Sequence, residues 1–326
     1  MAHLDATDRK EIEILRVLSE HDKPVGSFII KEALSSRGIF LSDRTIRYHL
    51  QLLEEKGFIN SLGKNGRLIT PSGLEELSRT LAYNRIGFVI TRFLSLAYET
   101  TYDPEVDTGM IAANVFIMDK THYDEAFNVV KELYNANLLP APYIKVLKEG
   151  TEYKDISVPS GKIALLTVCD LTIDGVLIHL GIPVLFKYGG LVQVVKHKPV
   201  RFVELISYEG TTIPPLELFV YRNLTSIATI LKTGSGILPA NMREIPAEAR
   251  GRTAKIFTSL KNNRWGGVLA FGEPNEDLLG VPVGMNRCGI SVIGGISPGA
   301  VMMERGIKVD TVAPHCLIPL EEMEKI

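Results

Sequence analysis

Apolar residues in the first 80 positions recur at helical spacing, and the clearest example follows residue 42. Ile46, Leu50 and Leu53 stand at positions i, i+4 and i+7, which predicts a helix with one buried stripe. Ser42 or Asp43 can cap the start of this helix, because each carries a side-chain oxygen for an unpaired backbone N–H. The polar residues between the apolar ones then fall on the opposite side, which faces solvent.

Two earlier helices and a later hairpin complete the pattern of this segment. Apolar spacing predicts one helix over residues 8–20 and a second that Ser27 can cap. Gly57 suits a helix C-terminus, Phe58-Ile59 begins a strand, and Asn65-Gly66 predicts a two-residue hairpin turn. Three helices and a hairpin in about 70 residues predict a winged helix-turn-helix domain, whose last helix lies in the major groove of DNA.

The charge of this segment supports DNA binding only when it is counted locally. Residues 1–80 hold 12 Lys and Arg and 12 Asp and Glu, whereas residues 37–67 hold six against three. Phosphate contacts need positive charge where they form, not a basic domain as a whole. The residues predicted to contact double-stranded DNA are Ser42, Arg44, Thr45, Arg47, Tyr48, Lys64 and Arg67. A winged helix that binds only protein is the alternative.

Composition limits the class of protein. The 326 residues, 45% of them hydrophobic and with a net charge of −2, predict two or three globular domains without a general attraction to nucleic acid or membrane. Charges interrupt the most apolar stretch, residues 161–195, so we expect no membrane span. The polar N-terminus lacks a signal-peptide pattern, and three scattered cysteines predict neither disulfides nor a zinc site. We therefore expect a cytoplasmic protein.

The chain beyond residue 82 contains an internal duplication. Residues 108–114 align with residues 235–241 at an offset of 127, which also pairs Val129 with Ile256. Residues 181–184 resemble residues 289–292 at an offset of 108, which implies 19 extra residues in the first copy. A chance match of short Gly- and Ile-rich blocks is the alternative.

The pattern within each copy predicts mixed helices and strands. The clearest helices cover residues 121–137 and 247–260, and apolar runs bounded by Gly or Asp predict strands. The predicted strands cover residues 163–169, 175–180, 191–195, 267–272 and 289–294. We predict a multidomain chain in which the winged helix-turn-helix (1–82) precedes a duplicated α+β sensor domain with repeats at 83–205 and 206–326.

Motifs of the common catalytic centres are absent from the sequence. It contains no HExxH, GxSxG, CxxC, GxGxxG or phosphate-binding loop, so we expect neither a cofactor nor a metal. His179 lies in an apolar run, which favours a hydrogen-bonded core residue over a catalytic base.

Three polar segments are instead candidates for binding a small molecule. Residues 167–172 end an apolar run, residues 286–289 carry an arginine, and residues 294–299 are small and can expose backbone N–H groups. An arginine that forks onto a carboxylate, together with free amides, suits a small dicarboxylate. The predicted ligand contacts are Cys169, Asp170, Thr172, Asn286, Arg287, Ser297 and Gly299. Glycines that only form turns, with Arg287 paired to a surface acid, are the alternative.

Several of these segments together resemble a known family. The sequences SDRTIRYHLQLLEEKGFI and ITPSGLEEL, with TVCD, GIPV and GISVIGGISPGAV further on, are similar to the archaeal nitrogen-regulation repressors of the NrpR family. The resemblance covers nearly the whole chain, with the N-terminal segment as the winged helix and residues 83–326 as one sensor domain. The sensor motifs are the more specific part, since many regulators share the winged helix.

The resemblance implies a repressor of nitrogen-assimilation genes. Members of the family bind palindromic operators as oligomers, and 2-oxoglutarate acts as the inducer when nitrogen is short. We accordingly expect a homodimer with 2-oxoglutarate as its effector. Some members carry two sensor domains and this chain has room for one, which leaves open whether a second repressor subunit takes part.

Two other functions are compatible with the sequence. A small-molecule hydrolase or transferase with an autoregulatory DNA-binding head would place Asp170, Asp174 and Glu273 in its active site. Alternatively, the large C-terminal part is chiefly a platform for oligomerisation, and any effector binds elsewhere.

Overall fold

The chain forms two compact units, Met1–Ile86 and Gly87–Ile326, which we call the head and the large unit. The computed structural model describes residues 9–21, 23–36, 39–84, 88–154 and 156–326. The sequence-based division of the large unit into repeats at 83–205 and 206–326 stays a prediction, and we use "first half" and "second half" for these two stretches of sequence.

The head is a helical domain with a short hairpin. Its elements in the described residues are α1 (Arg9–Ser19), α2 (Ser27–Ser36), α3 (Asp43–Glu55), β1 (Ile59–Ser61), β2 (Arg67–Ile69) and α4 (Pro71–Asn84). Ile46, Leu50 and Leu53 of α3 are buried in a core that also takes residues from α1 and α2, so the predicted amphipathic helix is confirmed.

Both ends of α3 are fixed by the residues that the sequence indicated. The N–H of Thr45 donates to Ser42 Oγ at 3.1 Å, so Ser42 is the N-cap. After the helix, Gly57 has a φ of +73°, and the N–H of Phe58 reaches back to the carbonyl of Leu53 at 2.9 Å. This is the hydrogen bond of a Schellman C-cap, which favours glycine because of its positive φ.

The predicted two-residue turn at Asn65-Gly66 is wrong. Ser61 pairs with Arg67, so residues 62–66 all belong to the loop between the strands. The loop contains a 3-10 turn at Gly63–Asn65, and its positive φ angles fall on Gly63 (+61°) and Gly66 (+106°). Two glycines three positions apart, and not the Asn-Gly pair, therefore set the turn.

The large unit alternates helices and strands. Its helices in the described residues are α5 (Phe88–Glu99), α6 (Tyr123–Asn135), α7 (Leu171–His179), α8 (Pro215–Tyr221), α9 (Ile227–Thr233), α10 (Arg250–Asn262) and α11 (Ser297–Glu304). Its strands are β3 (Met110–Asp119), β4 (Tyr143–Leu147), β5 (Glu152–Tyr153), β6 (Ile156–Ser157), β7 (Lys162–Val168), β8 (Leu185–Val195), β9 (Lys198–Ser207), β10 (Gly236–Pro246), β11 (Val268–Phe271), β12 (Arg287–Ile293), β13 (Val309–Pro319) and β14 (Glu324–Lys325).

Two five-stranded antiparallel sheets form the centre of the large unit, and the two halves of the sequence exchange strands between them. One sheet has the order β13-β3-β7-β4-β14 and the other the order β11-β12-β10-β8-β9. β8 comes from the first half yet pairs with β10, and β13 comes from the second half yet pairs with β3. Each sheet thus combines strands of both halves.

The offset of 127 predicted from the sequence matches the structure. It places β3 on β10 and α6 on α10, and both Val129 and Ile256 are buried on those helices. The second match, of residues 181–184 with 289–292, is wrong, because the first block follows α7 whereas the second lies in β12. The strand equivalent to β12 is β7: Asn114 of β3 faces Thr167 of β7, as Asn241 of β10 faces Val292 of β12.

Residues 175–180 were predicted as a strand, but residues 175–179 belong to helix α7 and Leu180 is its C-cap. The seven residues Leu171–Leu177 are all buried, so this helix has no polar face that would reveal its 3.6-residue period. A short apolar run of this kind does not distinguish a buried helix from a buried strand. His179 at its end is exposed, and its Nε2 contacts the carbonyl oxygen of Tyr98 at 2.8 Å, so the expectation of a core position was wrong.

Candidate functional site

The solvent-facing side of α3 carries most of the residues predicted to contact DNA. Arg44, Arg47 and Tyr48 are exposed, with Tyr48 at 58%, and Thr45 is half-buried beside Ser42. Within the described part of the chain, neither arginine makes an ion pair or a hydrogen bond to an acid. Their charges are therefore accessible to a partner.

A buried acid holds α3 in position. Glu11 of α1, 2% exposed, accepts a hydrogen bond from Lys56 Nζ at 2.8 Å and lies 3.5 Å from His49 Nδ1. At the other end, Lys31 of α2 pairs with Asp43 at 2.6 Å and lowers the pKa of that carboxyl. The sequence reasoning missed Glu11 and His49, although an acid on the apolar side of the first helix is a signal for such a pair.

The hairpin residues differ from their predicted arrangement. Arg67 begins β2 directly after the loop, where it pairs with Ser61. It is half-buried and exchanges backbone hydrogen bonds of 2.8 and 2.9 Å with Val25. The backbone of Lys64 lies in the 3-10 turn at the tip, and its side chain lies outside the described residues. The structure thus places one predicted basic position in the turn and a second one in the strand pair next to it.

The large unit contains a buried polar cluster centred on Arg243 of β10. Arg243 is 1% exposed, and its Nη2 donates to Asp170 Oδ2 at 2.7 Å and to Asp174 Oδ2 at 2.6 Å. Its Nε is in ion-pair contact with Asp174 Oδ1, and its guanidinium lies over the ring of Phe186, 5.2 Å from the ring centre. The two acids come from the start of α7, so the ion pairs join the two halves of the sequence.

Further donors converge on Asp170. Asn241 Nδ2 donates to Asp170 Oδ2 at 2.8 Å, the N–H of Gly295 donates to Asp170 Oδ1 at 3.2 Å, and Tyr208 in turn donates to Asn241 at 2.5 Å. Gly295 precedes α11, so the carboxylate accepts a backbone N–H close to the start of that helix, although Asp170 makes no side-chain capping bond to its own helix α7.

A small cavity adjoins this cluster. Its volume is about 30 Å³, which is room for about two water molecules. Asn114 and Arg243 both line it, and Asn114 Oδ1 and Arg243 Nη1 are buried polar atoms without a hydrogen-bond partner in the described residues. Such atoms are rare in protein interiors and indicate a place where a polar ligand can bind.

Burial changes the titration of the cluster. It raises the pKa of Asp174 to about 7, although the charge of Arg243 acts in the opposite direction. Burial also raises the pKa of the Cys169 thiol, which donates weakly to Asp170 Oδ1 at 3.6 Å. Cys169 is therefore a neutral thiol near neutral pH and not a reactive thiolate.

Two of the three segments predicted to bind a ligand meet at this cluster. Cys169, Asp170 and Thr172 lie where β7 leads into α7, and Ser297 and Gly299 lie in the first turn of α11. Thr172 Oγ1 accepts from the N–H of Ala112 at 3.1 Å, and Ser297 Oγ donates to the carbonyl of Gly294 at 2.8 Å. Both hydroxyl groups are therefore already engaged in local structure.

The third segment lies at the opposite end of β12. Asn286 Nδ2 donates to Glu248 at 2.8 Å, and Arg287 Nε lies 3.7 Å from Glu244 Oε2. The structure does not bring Asn286 and Arg287 to the cluster. Arg287 does have an acidic neighbour, but Glu244 is buried and is not the surface acid that the alternative expected.

The pseudo-equivalent position in the other sheet is apolar. Arg243 pairs with Phe186 across β10 and β8, whereas Phe116 pairs with Thr311 across β3 and β13. Opposite Phe116 stands Gly299, where a Cβ atom would lie 2.9 Å from the ring. Gly299 is thus required for packing, and the position that corresponds to Arg243 carries no charge.

The sequence reasoning missed Asn114, Tyr208, Asn241 and Arg243. The available signals were an arginine inside an otherwise apolar strand block, residues 236–246, and the two asparagines that end the duplicated blocks. The active site expected for an enzyme does not assemble, because Glu273 is exposed and pairs with Arg250 while Asp170 and Asp174 bind Arg243.

Metal and membrane features are not found in the described ranges. No cluster of three or more His, Cys, Asp or Glu side chains there could hold a metal ion. None of the helices formed by those residues is both long and apolar enough to cross a membrane.

Comparison with known proteins identifies both units. Residues 86–325 match the family model described as NrpR regulatory domains NRD1 and 2, and residues 12–77 match a ribonuclease R winged-helix domain. A crystal structure of a nitrogen repressor-like protein from Methanococcus jannaschii superposes with a TM-score of 0.63 at 26% identity, covering 73% of this chain and 97% of that one.

Relatives of the whole chain are named as regulators. The global nitrogen regulator NrpRI of Methanosarcina mazei is 38% identical over 98% of both chains. The regulators NrpR of Methanococcus maripaludis and Methanocaldococcus jannaschii are each 30% identical over 97% and 98% of this chain, which spans 55% of their length. The chain therefore belongs to the NrpR family of global nitrogen regulators, and its head is a winged helix.

Proposed function

We propose that this protein represses nitrogen-assimilation genes by binding promoter DNA through α3 and the hairpin of the head. The observation that carries the proposal is the exposed face of α3, where Arg44, Arg47 and Tyr48 stand opposite a fully buried stripe. A recognition helix reads bases in the major groove with such residues, and arginine forks onto guanine or phosphate. The hairpin adds the predicted contacts Lys64, in its turn, and Arg67, in the strand pair next to that turn.

A homodimer on a palindromic operator follows from the same geometry. One head offers a single recognition helix, and a dimer places two of them one turn of DNA apart, about 34–36 Å. The charges of residues 1–80 sum to zero, which makes pairing of heads important, because bulk electrostatic attraction to DNA is small. Cooperation with a second repressor subunit, and a cytoplasmic location, remain part of this proposal.

We assign 2-oxoglutarate as the effector and the polar cluster around Arg243 as its site. Arg243 offers an unpartnered Nη1, and Gly295, just ahead of α11, contributes a backbone N–H, which together suit a carboxylate. Of the predicted contacts, Cys169 and Asp170 line the cavity, and Asn286 and Arg287 lie elsewhere. To release DNA, the effector must bind the DNA-free state more tightly than the DNA-bound state.

Gel-shift titration with a palindromic promoter fragment tests the proposal. We expect the wild-type protein to shift the fragment and 2-oxoglutarate to weaken the shift. Arg47→Ala is expected to weaken binding by roughly tenfold, since a base or phosphate contact contributes about 1–3 kcal/mol.

The control is Arg16→Ala, which removes the same charge from α1, where Arg16 pairs with Glu13 at 3.0 Å. Equal loss of binding in both variants would point to general charge in place of recognition by α3. A DNA affinity that changes neither with Arg47→Ala nor with 2-oxoglutarate would overturn the proposal.

A further inference from the structure

Hydrogen-bond donors surround the carboxylate of Asp170 in an arrangement that resembles a binding site for a free carboxylate. Three donors from three different segments surround it: Arg243 Nη2 at 2.7 Å, Asn241 Nδ2 at 2.8 Å and the N–H of Gly295 at 3.2 Å. All three lie in the buried interior. A guanidinium, an amide and a backbone N–H ahead of a helix are the groups that proteins use to bind carboxylate ligands.

We propose that Asp170 is an internal competitor, which occupies the position of one effector carboxylate and must be displaced when the effector binds. The inference rests on the proposed function, because it concerns how the same site takes its dicarboxylate. Asp170 is then a positioning residue for the empty state and not a contact of the bound ligand.

The pattern of hydrogen bonds on Arg243 shows where the exchange takes place. Asp174 lies along the side edge of the guanidinium, where its Oδ2 accepts from Nη2 and its Oδ1 is in ion-pair contact with Nε, and it does not line the cavity. Asp170 accepts a second hydrogen bond from Nη2, and the neighbouring Nη1 has no partner in the described residues. A carboxylate that binds Nη1 and Nη2 as a fork needs the place of Asp170 but leaves Asp174 where it is.

Space and charge both require a displacement. The cavity of about 30 Å³ cannot hold a five-carbon dicarboxylate beside Asp170. With both acids ionised, the cluster of Asp170, Asp174 and Arg243 carries a net charge of −1, which repels an anion. When Asp170 moves away from its three donors, Arg243 stays paired with Asp174 alone, and all three donors become available to the effector.

The duplication supplies a natural comparison. At the start of α11, the position equivalent to Asp170 is Gly295, since both follow equivalent strands β7 and β12 by two residues. The fold therefore accepts a residue without a side chain at this place. The acid at residue 170 is a specific addition to one half and not a requirement of the strand-to-helix connection.

Isothermal titration calorimetry of the full chain with 2-oxoglutarate tests the inference. We expect Asp170→Gly to lower the Kd at least roughly tenfold, which corresponds to about 1.4 kcal/mol, because the effector no longer has to displace hydrogen bonds to a charged group. Asp170→Asn keeps an oxygen that can compete for Arg243 but removes the charge, so its Kd should fall between those of Asp170→Gly and wild type.

Asp310→Asn is the matched control, because it removes an exposed acid of β13 that does not line the cavity. Its Kd should equal that of wild type. Thermal unfolding of every variant shows that each one is folded before the titrations are compared.

The outcomes separate this inference from the proposed function. Wild-type binding with an equal or higher Kd for both folded Asp170 variants overturns the internal competitor and leaves 2-oxoglutarate as the effector. An absence of heat in wild type and in both variants removes 2-oxoglutarate from the proposed function, and the inference with it. The gel shift measures DNA binding by the head independently of the calorimetry.

Discussion

Asn114 and Asn241 occupy equivalent positions in the two halves of the large unit but hold different partners. Asn241 Nδ2 donates to the buried carboxylate of Asp170 at 2.8 Å, whereas Asn114 Nδ2 reaches only the carbonyl oxygen of Val168 at 3.5 Å. The same residue type thus stands at both positions, but only Asn241 has a charged partner. Among the described residues of these two sheets, the buried charged cluster lies on the side of Asn241.

This difference predicts unequal costs of substitution. Asn241→Ala removes a hydrogen bond to a buried charge and should lower the free energy of unfolding by about 1.5–3 kcal/mol. Asn114→Ala removes one long bond to a neutral carbonyl and should cost about 1 kcal/mol or less. Urea unfolding of both variants measures the difference, and equal costs would contradict the asymmetry.

Arg243→Met should be among the most destabilising substitutions in the large unit. It leaves the carboxyl groups of Asp170 and Asp174 buried without their cation, which costs about 3–5 kcal/mol. The loss should be smaller at pH 5 than at pH 8, because protonation relieves the two unpaired acids. A loss that does not vary with pH in urea unfolding would show that the acids reach solvent in the variant.

The raised pKa of Asp174 predicts how the stability of the wild type depends on pH. Its pKa is about 7 in the folded protein and 3.8 in the reference state, so the folded state holds a proton that the unfolded state has lost between these values. The contribution of Asp174 to the free energy of unfolding is therefore complete below about pH 4 and is lost as pH rises to 7. Asp174→Asn should flatten this part of the stability profile, measured by urea unfolding from pH 4 to 8.

The salt dependence of DNA binding reports the contacts of α3. Each arginine that neutralises a phosphate adds about 0.9 to the slope of log K against log salt concentration. Arg44→Ala and Arg47→Ala should each reduce the slope by about 1 if they contact phosphate, and Arg16→Ala should leave it unchanged. A variant that loses affinity at constant slope would indicate a base contact in place of a phosphate contact.

Two glycines form a matched pair for testing the packing of α7. A Cβ at Gly175 would lie 1.7 Å from Thr100 Oγ1 and 2.5 Å from the carbonyl oxygen of Ala97, whereas a Cβ at Gly251 in α10 meets nothing within 4 Å. Gly175→Ala should destabilise the protein by about 1–3 kcal/mol through overpacking. Gly251→Ala should be neutral or stabilise by up to about 1 kcal/mol, because alanine favours the helix. Thermal unfolding of both variants provides the comparison.

The sequence predicted well those elements whose two sides differ. α3 and α6 have buried residues on one side and polar residues on the other, so their spacing gave their type and their core positions correctly. α7 was mistaken for a strand because it is buried on all sides. α11 was missed because its first residues are small and carry no apolar pattern. A hydrophobic period exists only where one side of an element faces water.

The site was predicted only in part for a related reason. Asp170 and Cys169 stood out as polar residues at the end of an apolar run, which is a local signal. Arg243 was missed because its importance depends on two acids about 70 positions earlier, and pairing across that distance follows from topology alone. The exchange of β8 and β13 between the sheets has no signature in the spacing of residues.

That exchange has a consequence for how the protein folds. Neither half of the duplicated sequence carries a whole sheet. β8 of the first half pairs with β10 of the second half, and β13 of the second half pairs with β3 of the first half. A chain cut after residue 205 would therefore expose two open sheet edges and leave Asp170 without Arg243. The large unit should melt in a single cooperative transition, and synthesis of the last strand near the C-terminus should be needed before the first half becomes stable.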